Sequence, residues 1–396
     1  MKILVIRETN PFATSNASNN RFLSLAEGLA ENGARVDLII IQGYSTKFEK
    51  LLFHESKAKN GLDLLFLSPV YIYPSLARKI INKFLFRNYI YVINKIIRLI
   101  KNIKYDYIWI EPGNLTTRIG ITLKLKKKDI FIFQERSEFS WIGLSSKQWQ
   151  HTRYLKKFMP QVDAMAVMTI TLLNYYKNYL SEKARILHLP MTVDFARFDN
   201  IPYEKIHTKT YIAYCGTMNN EKDGVDILVK SFVKIMDKHP EIHLYIAGSL
   251  LPESDYQVQK LIIMENNAGN RITYLGSLTK EEIPPFLFSA KVLAMARPNS
   301  KQAEGGFPTK LGEYLATGNP VCVTLTGEIG DYLIDNVSAF IAEPDSVDSF
   351  ANALDRALTF REASKIGENG RNVALKHFNK EIQSANLFNF LSQSNS

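Results

Sequence analysis

The chain has 396 residues, enough for two domains, and it is 46% hydrophobic and 22% charged, as an ordinary globular protein is. It contains no run of about 18 uncharged apolar residues, which excludes a membrane-spanning helix, and we expect no secretory signal because the first apolar run is short. The net charge of +10 favours an anionic partner, whether a nucleotide, a nucleic acid or a membrane surface.

The first half of the chain alternates short apolar runs with helical patterns, which is typical of a parallel α/β sheet. The predicted strands are 2–7, 36–41, 62–68, 105–111, 130–135, 164–169 and 185–190. A helix is predicted between the first two strands, where Phe22, Leu25 and Leu29 share one face and Gly33 ends the pattern.

A basic stretch interrupts this half, because no acidic residue occurs from Leu64 to Tyr105. Within 78–104, lysines and arginines alternate with large apolar residues, which predicts one or two basic amphipathic helices. Two interpretations remain open. The helices have either a solvated face over an ordinary core, or a surface that rests on anionic lipid, where each cation contributes about 1 kcal/mol.

The second half repeats the alternation of apolar runs and helical patterns. Its predicted strands are 211–216, 242–248, 272–276, 291–297, 320–325 and 339–342. We therefore predict two doubly wound domains, 1–195 and 205–375, joined near 192–208, with a ligand cleft between them. A C-terminal helix at about 378–396 is predicted to pack back on the first domain.

The two cysteines of the chain lie in apolar, strand-like runs. Cys215 belongs to YIAYCG and Cys322 to VCVTL. This setting predicts buried, reduced thiols, as in a cytoplasmic protein.

The stretch EGGFPTKLGEYLATGNP, residues 304–320, joins a glycine-containing loop to the start of a helix. Pro308 suits the first helical position, but Lys310 stands in the first turn, where the helix dipole disfavours a cation by up to about 1 kcal/mol. Backbone N–H groups at a helix start bind anions, so a bound diphosphate would explain this lysine. Arg297 can reach the same anion, and Glu313 can accept hydrogen bonds from a ribose diol. The alternative is an exposed Lys310–Glu313 pair.

A second strand, loop and helix follow the same plan in YCGTMNNEKDGVDILVKSF. Gly216 and Thr217 end the strand, and Lys222 stands at the head of the predicted helix, unless it is simply a solvated lysine. Small residues at two further strand ends, Gly248 and Ser277, leave room for a ligand at the backbone.

These stretches carry a resemblance: the second half is similar to the nucleotide-sugar domain of GT-B glycosyltransferases, most of all the retaining family 4. The matching stretches are GTMNNEKDGVDILVKSF, YIAGS, ITYLGSLTKEEIPPFL, FPTKLGEYLATGNPVCVT and GEIGDYLIDNVSAFIAEP, which cover most of 210–360. The first half matches more loosely, through ENGARVDLI, VDAMAVMTITLLNYY and LPMTVDFARF. The resemblance implies an α/β fold of GT-B architecture, with two Rossmann-like doubly wound parallel-sheet domains that face a cleft.

The resemblance also implies a donor site. Lys222 matches a basic residue that binds the donor diphosphate, and Glu313 matches a glutamate that binds ribose. The arginine usual after the first strand is replaced by Thr217, so Arg297 and Lys310 are its implied substitutes. The implied diphosphate site comprises Gly216, Thr217, Lys222, Arg297, Gly306, Phe307, Pro308, Thr309 and Lys310, and the implied base site comprises Gly248, Ser277 and Leu278.

The family usually has an additional glutamate that contacts the donor sugar. It aligns here with Gly305, one position after Glu304, so both residues are donor-sugar candidates. No single catalytic residue is evident, and Glu135 and Glu304 are the candidates. A retaining reaction in this family would use the departing phosphate oxygen as the base.

Acceptor contacts are implied in the first domain. Asn16 lies in the loop NPFATSNASNN, which replaces the family's glycine pair, and Arg136 and Glu138 follow a strand in FQERSEFSWIG. Acidic and aromatic residues of the latter stretch are suited to hold an acceptor. A surface ion cluster is the alternative interpretation.

The implied function is transfer of a sugar from a nucleoside diphosphate sugar, with UDP favoured, to an acceptor hydroxyl with retention, in cell-surface polysaccharide or glycolipid synthesis. We expect no metal or other cofactor, because cationic side chains and helix starts can neutralise the leaving diphosphate. The acceptor would be a saccharide or lipid-linked saccharide, and the protein would be cytoplasmic or peripheral on the inner membrane face through 78–104. The alternatives are a sugar-nucleotide 2-epimerase of the same fold and a basic nucleic-acid-binding protein, although no nucleic-acid docking motif is present.

Overall fold

The computed structural model describes residues 1–12, 17–41, 58–59, 61–66, 92–127, 129–142, 148–199, 209–250 and 252–393. The chain divides into two compact units, Met1–Leu189 with Glu381–Ser396, and Pro190–Lys380. The segment 190–199, most of which we predicted to lie in the first domain or the linker, belongs to the second unit. The reason is backbone pairing, since Val193 N donates to Phe378 O (2.7 Å) and Lys380 N donates to Val193 O (2.9 Å).

The first unit is built on a sheet in the order β3-β4-β2-β1-β5-β6-β7-β8. Its strands are β1 (Lys2–Arg7), β2 (Arg35–Ile40), β3 (Ala58–Lys59), β4 (Leu62–Phe66), β5 (Tyr107–Ile110), β6 (Ile132–Arg136), β7 (Ala164–Val167) and β8 (Arg185–His188). Every described pairing is parallel except that of β3 with β4. Strands such as β1 and β2 are continuous apolar runs because helices cover both faces of such a sheet.

The helices of the first unit supply the rest of its core. They are Ala17–Glu31, 92–102, Asn114–Lys126, Gln148–Arg153, Ile170–Lys177 and Lys380–Ser392, with a π-helical turn at Tyr154–Phe158 and a 3-10 turn at Met159–Gln161. The C-terminal helix adds Leu387 and Leu391 to the same core cluster as Ile3 and Leu25. A Cβ atom on Gly28 would lie 1.9 Å from the Ser384 hydroxyl oxygen, so this helix packs closely against the first one.

The basic stretch is described only in part, because 67–91 lie outside the described residues. In the helix 92–102, the apolar side chains of Ile93, Ile96 and Ile100 are buried, whereas Lys95, Arg98 and Lys101 are exposed. The apolar face of this helix therefore belongs to the protein core, and only its cationic face is presented to solvent. None of the helices in the described ranges is long and apolar enough to cross a bilayer.

The second unit contains a parallel sheet in the order β11-β10-β9-β12-β13-β14. Its strands are β9 (Thr210–Cys215), β10 (Ile242–Ala247), β11 (Ile272–Gly276), β12 (Val292–Met295), β13 (Val321–Thr324) and β14 (Phe340–Ala342). The chain runs outward from β9 to β10 and β11 and then returns to β12 on the other side of β9. The topological switch point therefore lies between β9 and β12, where ligands bind in such sheets.

The helices of the second unit pack on the two faces of this sheet. They are Asn220–Asp223, Val225–Ile235, Glu253–Glu265, Ile283–Phe288, Lys301–Gly305, Thr309–Ala316, Ile329–Tyr332, Val347–Thr359 and Ala363–Phe378, with a 3-10 turn at Phe195–Arg197. Val225, Leu228, Val229 and Phe232 form the buried face predicted for their helix. The prediction of two doubly wound α/β sheets is thus confirmed, and the predicted strands agree with the observed ones to within a few residues.

Candidate functional site

The carboxyl ends of β9, β10 and β11 meet through glycines rather than side chains. Gly216 N donates to Ala247 O (2.9 Å), and Gly248 N donates to Gly276 O (2.7 Å). A Cβ atom on Gly248, whose φ is 141°, would lie 1.7 Å from Gly216 O. Gly248 therefore packs directly against the end of β9, where no side chain fits, whereas nothing lies within 4 Å of a Cβ atom built on Gly276.

The ammonium group of Lys310 lies directly over the end of β9. Its Nζ atom is 2.8 Å from Asp223 Oδ1 and donates a hydrogen bond to the hydroxyl of Tyr214 (2.8 Å), and its side chain is 17% exposed. A Cβ atom on Gly216 would lie 2.3 Å from this Nζ, so the ammonium needs a glycine at this position. The structure thus brings the predicted pair Lys310 and Gly216 together at the switch point.

The helix that carries Lys310 spans Thr309–Ala316, and Pro308 is its N-cap residue. We predicted Pro308 at the first helical position, which is wrong by one residue. Its φ of −72° and ψ of 112° are extended, as expected of a residue just before the first turn. Lys310 therefore remains in the first turn, where the backbone N–H groups of the helix start also lie.

Asp223, which the sequence analysis missed, holds the Lys310 ammonium. Its carboxylate is buried and accepts a hydrogen bond from the Thr217 hydroxyl (2.5 Å) as well as the pair with Lys310. Burial by itself raises the pKa of Asp223, but the charge and hydrogen bonds of Lys310 and the hydroxyl of Thr217 outweigh it, so the pKa is lowered. Burial lowers the pKa of Lys310, against the attraction of Asp223. Thr217, predicted as a diphosphate contact, therefore also orients Asp223.

Lys222 does not head the long helix that the sequence predicted. It lies in a separate four-residue helix, Asn220–Asp223, which Gly224 ends with a φ of 67° before Val225–Ile235 begins. A Cβ atom on Gly224 would lie 1.9 Å from Ala296 O, so this break packs against the end of β12. Lys222 is exposed beside the Asp223–Lys310 pair, and its charge helps to lower the pKa values of both.

Arg297, predicted to reach the same anion as Lys310, is buried just after the end of β12. Its guanidinium donates to Gly306 O (3.1 Å) and Gln302 O (3.4 Å), and its own carbonyl accepts from the Thr324 hydroxyl (2.5 Å). These hydrogen bonds to carbonyl groups of the following turn hold the side chain inside the protein. Arg297 therefore orders the segment that leads to Lys310.

The segment 298–306 was predicted to be a loop, but it contains the short helix Lys301–Gly305. The Ser300 hydroxyl accepts a hydrogen bond from Ala303 N (3.1 Å) and so caps it. Glu304 is exposed on this helix, whereas Gly305 is buried. Phe307 packs against Tyr332, with ring centroids 5.6 Å apart. The two donor-sugar candidates thus have opposite exposure, and only Glu304 presents a side chain.

Glu313, the predicted ribose contact, forms an ion pair with Arg197 at 2.5 Å. Both side chains are partly exposed, and Arg197 was not found by sequence reasoning, because 116 residues separate the two. The Cys215 thiol lies near both, and burial, followed by the charge of Glu313, raises its pKa to about 12. The Tyr314 hydroxyl oxygen accepts a hydrogen bond from Cys215 N (2.7 Å) and so connects the helix Thr309–Ala316 to the end of β9.

The predicted base contacts lie at the carboxyl ends of β10 and β11. Ser277 is exposed and Leu278 is half-buried, and both directly follow the last residue of that strand, Gly276. Gly248 lies at the adjacent strand end through its hydrogen bond to Gly276. The three base-site candidates are therefore neighbours along one edge of the sheet.

The first unit places its predicted residues at the carboxyl end of β6. Glu135 Oε1 pairs with Arg21 Nε at 2.5 Å, so this catalytic candidate is held by a cation. Arg136 is buried and donates to the Tyr176 hydroxyl (2.8 Å) and to Phe139 O (2.9 Å). Its Nε and Nη2 atoms are thus engaged inside the protein, and its contact to the acceptor stays a prediction. Glu138 remains partly exposed, and Asn16 lies outside the described residues.

A further acidic group, Glu111, follows the end of β5 and was missed. Its carboxylate pairs with Arg7 and accepts from Glu8 N (2.8 Å), and burial raises its pKa above the usual range. Glu8 in turn accepts from Leu115 N (2.9 Å) at the start of Asn114–Lys126, the position where a helix favours an anion. The signal in the sequence was an acidic residue at the end of each of two predicted strands, Glu8 directly after 2–7 and Glu111 as the last residue of 105–111.

Among the described residues, no group of three or more His, Cys, Asp or Glu side chains is placed to hold a metal ion. That the reaction needs no metal stays a prediction.

Most of the second unit is similar to a known protein family. Residues 209–359 match the family model described as Glycosyl transferases group 1, and this region contains β9 to β14 with Asp223, Lys310 and Glu313. The structure of Anabaena HepE in complex with UDP and glucose superposes with a TM-score of 0.73 at 14% identity, over 100% of both chains. The predicted resemblance to glycosyltransferases is confirmed over residues 209–359, and the fold is that of GT-B glycosyltransferases.

Two curated relatives are similar in sequence. The lipopolysaccharide 1,2-N-acetylglucosaminetransferase of Salmonella typhimurium is 23% identical over 178 residues, 43% of this chain and 45% of that protein. The GDP-mannose-dependent monoacylated alpha-(1-6)-phosphatidylinositol monomannoside mannosyltransferase of Corynebacterium glutamicum is 22% identical over 310 residues, 74% of this chain and 78% of that protein. The match to the Salmonella protein thus spans less than half of its length.

Proposed function

We propose that this protein is a glycosyltransferase that moves a sugar from a nucleoside diphosphate sugar to an acceptor hydroxyl with retention of configuration. The observation that carries the proposal is the Lys310 ammonium over Gly216, at the switch point of the second sheet and beside a helix start. A buried cation at this place supplies charge where a diphosphate fits the fold.

The diphosphate is the leaving group of the proposed reaction. As the bond from the anomeric carbon to the diphosphate oxygen breaks, negative charge develops on that oxygen. Lys310, the N–H groups at the start of Thr309–Ala316, and the exposed Lys222 supply positive potential there. Their positions are set before the reaction by Asp223 and Gly216, so little reorganisation is needed. The departing phosphate oxygen takes the acceptor proton, and the new bond forms on the same face.

Glu313 is proposed to accept hydrogen bonds from the ribose. It lies one helical turn after Lys310, and its present partner is Arg197. Ribose hydroxyls would share or replace that ion pair. Glu304, exposed on the short helix Lys301–Gly305, is the proposed contact to the donor sugar, because Gly305 has no side chain to offer.

The proposed identities of the donor and the acceptor rest on the proteins to which this chain is similar. The HepE structure is a complex with UDP, which supports UDP as the carrier, while the corynebacterial enzyme is named for GDP-mannose. The Salmonella relative is named for lipopolysaccharide and the corynebacterial one for a phosphatidylinositol mannoside. We therefore propose a saccharide or lipid-linked saccharide acceptor, in cell-surface polysaccharide or glycolipid synthesis.

The place of action is proposed to be the cytoplasmic face of the membrane. The exposed cations Lys95, Arg98 and Lys101 on helix 92–102 would face anionic lipid, without insertion of the buried apolar side of that helix. Cations replace a metal in the proposed reaction, so turnover should be unchanged in EDTA. A loss of turnover that is restored by Mg²⁺ would contradict this part of the proposal.

The test begins with thermal unfolding in the presence of UDP, GDP and ADP. A nucleotide at 100 times its Kd should stabilise the protein by about 2.7 kcal/mol, and we expect UDP to give the largest shift. The matching UDP-sugar is then incubated with and without saccharide acceptors. Transfer to an acceptor supports the proposal, whereas a changed sugar nucleotide without any acceptor would indicate a 2-epimerase. No shift with any nucleotide would overturn the assignment.

A further inference from the structure

An exposed aromatic cluster lies just beyond the end of β6 in the first unit. The rings of Phe139 and Trp141 are stacked, with centroids 4.2 Å apart and an interplanar angle of 11°. Tyr175 is nearly perpendicular to both, with centroid distances of 5.0 Å to Phe139 and 5.6 Å to Trp141. These distances place Tyr175 beside the stack rather than on top of it.

One face of the Trp141 ring remains open. Phe139 is buried and covers one side of the indole, yet Trp141 is 45% exposed. A protein that leaves this much of a tryptophan in water keeps a large apolar surface available for contact. The exposed side of the indole is flat, and the stacked Phe139 ring on the other side fixes its orientation.

Hydrogen bonds beneath the cluster fix its geometry. The Ser140 hydroxyl is fully buried and lies 2.6 Å from His151 Nε2 and 2.7 Å from the Tyr175 hydroxyl. Arg136 donates to Phe139 O (2.9 Å) and to the Tyr176 hydroxyl (2.8 Å), which anchors the same loop to the helix Ile170–Lys177. The platform is therefore organised before a ligand arrives, which lowers the entropy cost of binding.

The charges at this strand end select the class of ligand. The carboxylates there belong to Glu135 and Glu138, while the neighbouring Arg136 is buried and internally bonded. Glu135 pairs with Arg21, and Arg136 bonds to Tyr176. These charges are already engaged within the protein, which favours an uncharged ligand beside the indole. A neutral pyranose combines an apolar face of C–H groups with a rim of hydroxyls, and so complements an exposed aromatic plane.

We infer that Trp141, backed by Phe139 and Tyr175, is a stacking subsite for a neutral pyranose ring of the acceptor. The inference rests on the proposed function for the identity of the ligand as acceptor. It adds the place in the first unit where a ring of the proposed saccharide acceptor binds, and the side chain on which that ring stacks.

The test is saturation-transfer NMR of the full chain with maltose, lactose, chitobiose and α-mannobiose. We expect at least one disaccharide to receive saturation from the wild type, and Trp141→Ala to weaken its binding about tenfold while Trp141→Phe retains part of it. Trp149→Ala is the matched control, because Trp149 is also exposed, at 57%, but stacks against Arg153 instead. Equal binding by Trp141→Ala, or no binding of any disaccharide to the wild type, would overturn the inference.

Two further measurements separate this inference from the proposed function. Trp141→Ala should keep the thermal shift with UDP, because the donor residues belong to the other unit. If disaccharides bind through Trp141 but no nucleotide binds, the proposed function fails and the subsite stands. Phosphatidylglycerol vesicles are the third probe, and vesicle binding lost in Trp141→Ala but not in Trp149→Ala would assign the cluster to a membrane and contradict a saccharide subsite.

Discussion

Lys310 Nζ lies 2.8 Å from Asp223 Oδ1, and this pair joins the start of the helix Thr309–Ala316 to the turn after β9. The partners are 87 residues apart in the chain. Asp223 is itself fixed by the Thr217 hydroxyl, and Gly216 leaves the space that the ammonium occupies. The arrangement holds a cation in place although the helix dipole opposes it, because a buried carboxylate offsets the repulsion.

Replacement of Lys310 tests the role of its charge. Lys310→Ala should lower turnover of the UDP-sugar by about 10²–10³-fold, the usual effect of removing one preorganised electrostatic group. The variant leaves Asp223 buried without its cation, at a cost of about 3–5 kcal/mol in the free energy of unfolding. The double variant with Lys310→Met and Asp223→Asn removes both charges of the pair. It should keep the fold, while turnover of the UDP-sugar stays low. Lys230→Ala, which breaks an exposed pair with Asp226, is the control. Wild-type turnover in the double variant would refute the role.

Gly216→Ala tests whether the position of the ammonium matters as well as its charge. The added Cβ would lie 2.3 Å from Lys310 Nζ and must push it away. We expect the Kd for UDP, measured by calorimetry, to rise at least about tenfold. Gly269→Ala is the matched control, since nothing lies within 4 Å of the Cβ position there. If both variants bound UDP as the wild type does, the ammonium would have no part in donor binding.

Glu313→Ala separates ribose binding from diphosphate binding. Loss of hydrogen bonds to a charged acceptor should raise the Kd for UDP by roughly tenfold or more. Pyrophosphate has no ribose, so its Kd should stay unchanged in Glu313→Ala. The double variant with Lys310→Met and Asp223→Asn should instead weaken the binding of both UDP and pyrophosphate. Competition against a fluorescent nucleotide gives both constants in one assay. Equal weakening of UDP and pyrophosphate by Glu313→Ala would show that Glu313 acts on the phosphates or on Arg197 instead.

Charge reversal on helix 92–102 tests the proposed membrane contact. Lys95→Glu, Arg98→Glu and Lys101→Glu together should lower binding to phosphatidylglycerol vesicles by about two orders of magnitude or more, at about 1 kcal/mol for each cation lost. A matched control reverses Lys230, Lys234 and Lys238, whose side chains are also exposed but lie in the second unit. Vesicle co-sedimentation measures the difference. An equal loss in both variants would mean that net charge alone is responsible.

Local pattern explains why so much of the fold could be predicted. Strands buried on both faces, such as β1 and β9, are continuous apolar runs, and the helices between them repeat with a period of 3.6 residues. Local pattern also underlies the predicted diphosphate site near Lys310, since a strand, glycines and a helix start follow one another in that part of the chain. Arg136 and Arg297 show the limit of local pattern, because their hydroxyl and carbonyl partners, Tyr176 and Gly306, could not be identified from the sequence.

The sequence by itself determined the order of strands and helices, the two doubly wound units and the stretches that supply Lys222, Lys310 and Glu313. These features depend on neighbours within one or two helical turns. Only the tertiary structure decided that Asp223 holds Lys310, that Arg197 pairs with Glu313, and that Phe139 and Tyr175 flank Trp141. Such partners are distant in the chain or depend on side-chain direction, and they meet because burial of the apolar faces fixes which strand ends and loops become adjacent.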